Sequence, residues 1–107
     1  MYLHSKGVVH RVIKLDHIFV ENCSDSLEFL VKLDGLEDSI VRTNAYEKVT
    51  EPPRISHFNA PEMYNKSYTD KADVWSLGMI FYFLLFGSLP FPQETYDLVN
   101  MWVLIPL

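Results

Sequence analysis

Past Asp73 the chain runs from Val74 to Gln93 without a charged residue, and Leu77 to Phe86 is apolar but for Gly78. A stretch of this kind has two homes, a membrane or the middle of a domain. A span needs about 20 predominantly apolar residues, and Gly87, Ser88, Pro90 and Pro92 interrupt this one. The uninterrupted block is too short, so a membrane is the lesser expectation. The spacing predicts a helix from Asp70 to Phe86, with Asp70 as N-cap and Asp73 suited to the positive helix end. A helix apolar nearly all round is expected to be covered by other elements. Trp75, Leu77, Met79, Ile80, Phe81, Leu84 and Leu85 are therefore expected in the core.

The remaining composition narrows the class. A chain of 107 residues fits one domain. Apolar residues make up 49% and aromatics 14%, which argues against disorder. Net charge is −5, with no basic run, so nucleic acid is not an expected partner. Cys23 stands alone, which excludes an internal disulfide and a paired-cysteine zinc site. A reducing compartment fits, and the first residues lack an apolar signal core. An intracellular, cytoplasmic location is expected, and the sequons at Asn22 and Asn65 read as chance matches.

Along the chain, residues 1–6 read as the last turns of a helix stopped by Gly7. A polar loop follows from His10 to His17. Ile18 to Val20 and Leu27 to Leu33 read as two strands joined through residues 21–26, a β-hairpin. Asp34 to Arg54 has no convincing period and is expected to be a long irregular loop. Pro61 opens a short helix through Tyr64, and a weaker amphipathic helix is expected over 94–103.

Four motifs stand in a fixed order: His10-Arg11-Val12-Ile13-Lys14-Leu15-Asp16-His17, Asp34-Gly35-Leu36, Ala60-Pro61-Glu62, and Asp73-Val74-Trp75-Ser76-Leu77-Gly78. Their order and separation resemble the large lobe of a protein kinase, in which an H-R-D-x-K-x-x-N loop precedes D-F-G, A-P-E and D-x-W-S-x-G. Lys14 is similar to the serine/threonine branch. The implied fold is mainly α with a small β-hairpin, a partial C-lobe with the N-lobe absent. Residues 1–33 would hold the helix end, catalytic-type loop and hairpin. Residues 34–62 would form the activation-type segment, and residues 63–107 the helical part.

The resemblance also exposes departures. The family's aspartate accepts the substrate hydroxyl's proton. Val12 stands there, and an isopropyl group accepts nothing. Losing a general base costs ~10²–10⁴-fold in rate. Asp16 lies nearby, and its simpler reading is a loop carboxylate. His17 replaces the asparagine that holds a second magnesium, and imidazole is a poor ligand for that hard ion. Asp34 could still offer an oxygen to magnesium, although the D-F-G turn is shortened. His10, His17 and His57 have no recognisable metal-ligand spacing.

Structural roles are implied for His10, Arg11, Glu62 and Asp73. His10 would pack beneath the loop, and Asp73 would accept hydrogen bonds from the loop backbone. Glu62 is expected to lack its arginine partner. Ser56 and Phe58 fall in a substrate-facing position. Arg11 could meet a phosphate on Ser39, Thr43 or Thr50, although a solvated loop with incidental hydroxyls is the simpler reading.

The leading expectation is a truncated, catalytically inactive kinase-like fragment, a pseudokinase with at most a protein-binding role and no cofactor. The alternative is part of a serine/threonine kinase that uses ATP and magnesium once the missing lobe is supplied. With several lobe helices absent, the apolar helix is expected to be poorly covered, favouring a partner site or aggregation.

Overall fold

The computed structural model describes residues 2–22, 29–93 and 95–96. Helix α1 is a single turn, Tyr2–Ser5, and Gly7 (φ +77°) reverses the chain after it. A side chain on Gly7 would meet the Arg42 carbonyl, and Arg42 donates its own N–H to the Gly7 carbonyl at 2.7 Å. That close approach brings strand β1, Val8–Val9, against a strand that the sequence did not reveal, β4 at Ile40–Val41. The two run antiparallel, with Val8 opposite Val41 and Val9 opposite Ile40. The stretch after Asp34 is thus less irregular than its composition implies. It holds a 3-10 turn at Leu36–Asp38, then β4, and it returns at Val49, which pairs with Tyr68 through both backbone hydrogen bonds.

Strands β2 (Ile18–Asn22) and β3 (Phe29–Leu33) form the expected hairpin, and its turn lies outside the described residues, as does Cys23. Ile18 faces Leu33 at the base, and these are the two half-buried positions. Beyond the base Phe19, Val20, Phe29, Leu30 and Val31 are exposed. The core lies elsewhere, among Val9, Val49, Ala60, Met63, Tyr68 and Ala72, with Ile40 packed against it.

Helix α2, Lys71–Phe86, follows a 3-10 segment at Pro61–Asn65. Asp70 occupies the N-cap position without a side-chain cap bond. Its carboxylate turns instead to Arg42, 2.9 Å away, while the Lys71 N–H reaches Thr69 Oγ1 at 3.3 Å. The charged guanidinium of Arg42 is a stronger donor to the Asp70 carboxylate than a neutral backbone N–H, so the ion pair displaces the expected cap. Gly87 (φ +73°) ends the helix and donates to the Phe83 carbonyl.

The expected burial of α2 holds on one side as far as Ile80, Met79 and Ile80 among the expected core residues included, and fails beyond it. Ala72, Asp73, Ser76, Met79 and Ile80 are buried. Trp75 is 37% exposed, and Phe81, Leu84 and Leu85 are 66, 67 and 75% exposed. Pattern alone reports that a face can be covered, and among the described residues nothing covers this one. No helix among them is long and apolar enough to cross a membrane. Most of the helix expected over 94–103 lies outside the described residues, although Gln93, Thr95 and Tyr96 are helical.

Candidate functional site

The loop after β1 is organised by one carboxylate. Asp73, 1% exposed on the first turn of α2, receives the backbone N–H of His10 on Oδ2 (2.7 Å) and that of Arg11 on Oδ1 (2.9 Å). His4 Nε2 donates a third bond to Oδ2 at 2.9 Å. A buried carboxylate is tolerable only when its oxygens are satisfied in this way. The same pull explains why Arg11 adopts φ +77°, a left-handed conformation rare for a residue with a side chain.

Two histidines then fix the loop to the Asp34-Gly35 turn. The Val12 N–H donates to His10 Nδ1 (3.1 Å), so His10 Nε2 carries the proton and donates to the Asp34 carbonyl at 2.7 Å. His17 Nδ1 donates to the Val12 carbonyl at 2.8 Å, and the Asp34 N–H returns to the His17 carbonyl at 2.7 Å. Gly35 (φ +82°) lies so close to the His17 ring that a Cβ there would collide with Nδ1. The His10 and His17 rings are 6.0 Å apart.

Val12 sits inside this frame, 4% exposed. It meets the loop through its backbone, and its side chain is packed as core. Asp16 and the Asp34 side chain are exposed. Lys14 comes together with Ile55, Ser56, His57 and Phe58 around an open depression of about 260 Å³. The Ser56 hydroxyl there accepts the Phe58 N–H at 3.1 Å, and the Phe58 carbonyl accepts from Ser76 on α2 at 2.7 Å. The His57 ring packs against that of Tyr96, with centroids 4.9 Å apart and the planes tilted by 31°.

Asp34 offers one carboxylate, and the Nδ1 of His17 is engaged by the Val12 carbonyl. Magnesium prefers oxygen donors in octahedral array, and no three metal-ligating side chains gather among the described residues.

Arg11 is anchored by three hydrogen bonds. Its Nε donates to the Tyr68 hydroxyl (2.8 Å), Nη1 to the Asp38 carbonyl (2.9 Å) and Nη2 to the Pro52 carbonyl (2.9 Å), with Glu51 at 3.6 Å. Burial pushes the Tyr68 phenol above its ordinary value, against the opposing pull of Arg11. Glu62 makes no ion pair among the described residues. Three participants carried no motif signal: His4, Tyr68, and Arg42, whose pairing with Asp70 braces the same helix start.

Comparison with known proteins gives a family match and several relatives. The family model described as "Protein kinase domain" matches residues 1–103. The chain is 37% identical over 94 residues to CDPK-related kinase 8 of Arabidopsis thaliana, covering 88% of this chain and 15% of that protein. It is 39% identical over 95 residues to CBL-interacting protein kinase 25 of Oryza sativa subsp. japonica, covering 87% and 18%. It is 34% identical over 95 residues to the calcium/calmodulin-dependent protein kinase cmkB of Emericella nidulans, covering 88% and 23%. The chain therefore spans less than a quarter of the length of these relatives.

Proposed function

From the premise that this chain belongs to the protein kinase family, we propose that it is a catalytically silent member segment whose remaining capacity is protein binding. The observation that carries the reading is Val12. An isopropyl group, 4% exposed, fills the position where the family's chemistry needs a proton acceptor. Around it the surviving motif residues have structural partners: Asp73 holds the loop, His10 and His17 hold the turn, and Arg11 holds the long segment. The exposed apolar residues of α2 and the hairpin supply the surface for a protein partner. On this reading the chain works inside the cell without a cofactor, and neither nucleic acid nor membrane is its partner.

A second reading has its own support. The Asp34 side chain is solvent-accessible on a backbone fixed from both sides, and Lys14 lies beside Ser56. That arrangement suits a portion of a serine/threonine kinase that binds ATP when the rest of a kinase domain is joined to it. Even so, Val12 predicts very low turnover.

The test is transfer of labelled phosphate from ATP in the presence of magnesium to the chain itself and to a basic protein acceptor. The expected result is label no higher than in a protein-free control. Transfer that Asp34→Ala abolishes would overturn the first reading and favour the second.

A further inference from the structure

We propose that the cavity between the 3-10 segment Pro61–Asn65, helix α2 and residues 91–96 is a binding site for a small neutral molecule carrying one planar ring. Pro61 and Tyr64 come from the first, Trp75 and Met79 from the second, and Phe91 and Tyr96 from the third. Trp75 and Met79 are about one helical turn apart, so α2 presents them on the same side. Phe91 and Tyr96 meet edge to face at 6.2 Å, so the third wall is set before a ligand arrives. Tyr64, Met79 and Tyr96 are buried, while Trp75 and Phe91 are partly exposed, and the cavity is open on one side. The space measures about 120 Å³. An apolar protein cavity of ~150 Å³ stays dry and takes up benzene, so a single ring fits here with one edge in solvent. The cavity shares no lining residue with the depression beside Lys14.

The polar groups on its walls are engaged with one another or with backbone. The Asn59 amide donates to the Arg54 carbonyl at 2.6 Å and to the Tyr64 hydroxyl at 3.2 Å. The Tyr96 hydroxyl accepts the Phe91 N–H at 3.3 Å. What faces the space is mainly ring and thioether surface, which offers water few hydrogen bonds. Such surface favours an aromatic guest, through offset or edge contacts between rings and through contact with sulfur. No Asp, Glu, Lys or Arg lines the cavity among the described residues. An ion would therefore give up its hydration without meeting a counter-charge. Burial also pushes the Tyr64 and Tyr96 phenols above their ordinary value, so these walls stay neutral at neutral pH.

The test is a benzene titration of the full chain, labelled with carbon-13 in its methionine methyl groups. The Met79 methyl signal should move and saturate, with a Kd on the order of 1 mM. The Met63 methyl, buried in the core away from the cavity, should stay in place. Tetramethylammonium at the same concentrations should move neither. Thr95 lines the cavity from an exposed position, and Thr95→Trp should weaken benzene binding at least about tenfold by filling the opening. Leu84→Glu with Leu85→Glu alters the exposed end of α2 outside the cavity. That pair should leave the Kd within about twofold, which separates the cavity from general adsorption on apolar surface. A Met79 signal that stays still, drifts without saturating or moves together with that of Met63 would overturn the proposal. So would undiminished binding in Thr95→Trp, an equal response to tetramethylammonium, or loss of binding in the glutamate pair.

Discussion

Gly35 and the His17 imidazole occupy space that only one side chain can fill. The glycine also sits at φ +82°, where a side chain strains the backbone. Gly35→Ala should therefore cost ~1–3 kcal/mol of stability. Part of that cost comes from driving the ring off the Val12 carbonyl. His17→Ala should remove this part, so the two substitutions together should cost less than their sum, as a urea-unfolding double-mutant cycle would read. Simple addition would mean that the ring and the turn are not in contact. The phenols give a pH prediction. Burial raises Tyr64 and Tyr68 above 10.0, so the folded state favours their neutral forms. Their contribution is fully present below that value and is lost as pH climbs through the raised values. The urea midpoint should fall between pH ~9 and ~11, less steeply for Tyr68→Phe. Residues of this kind also mark where reading the sequence stops. The helix-start motif points to Asp73, yet the third donor, His4, stands in an unremarkable turn. Nothing around Asp70 reveals that its carboxylate serves Arg42 rather than the helix N-terminus.

Helix α2 and the hairpin share an unusual condition for apolar elements. Their sequences were legible because helical run length and β-branched content are local signals. Strand β4 was not legible. Two residues, Ile40 and Val41, become a strand only because Val8 and Val9 lie beside them, and that is a tertiary fact. The burial of α2 was misread for the same reason: apolarity at Phe81, Leu84 and Leu85 measures what burial would gain, not whether a neighbour is present. The exposed face predicts association. Leu84→Glu with Leu85→Glu should reduce concentration-dependent light scattering, with a stability change within ~0.5 kcal/mol because neither side chain packs on the core. A loss of several kcal/mol would show that the face is already covered.

At the scale of the whole molecule, the described residues form a small core beside a loop that is tied down by the chain's own side chains. Asp73, Arg11, His10 and His17 each tie two elements that are far apart in sequence, and none of these ties requires a substrate. The resemblance was legible because it lives in short motifs of fixed order. The anchoring of Arg11 was not, because two of its three hydrogen-bond acceptors are backbone carbonyls, which every residue has. The central claim is that a buried carboxylate on α2 holds this loop as a structural element. Amide hydrogen exchange at His10 and Arg11 tests it most directly. Both N–H groups should be protected to the same degree as Val9 in the β1–β4 pair, and Asp73→Asn should release them by at least about tenfold, through loss of charge-assisted hydrogen bonds. Free exchange of both amides in the unaltered chain, with Val9 still protected, would contradict the account.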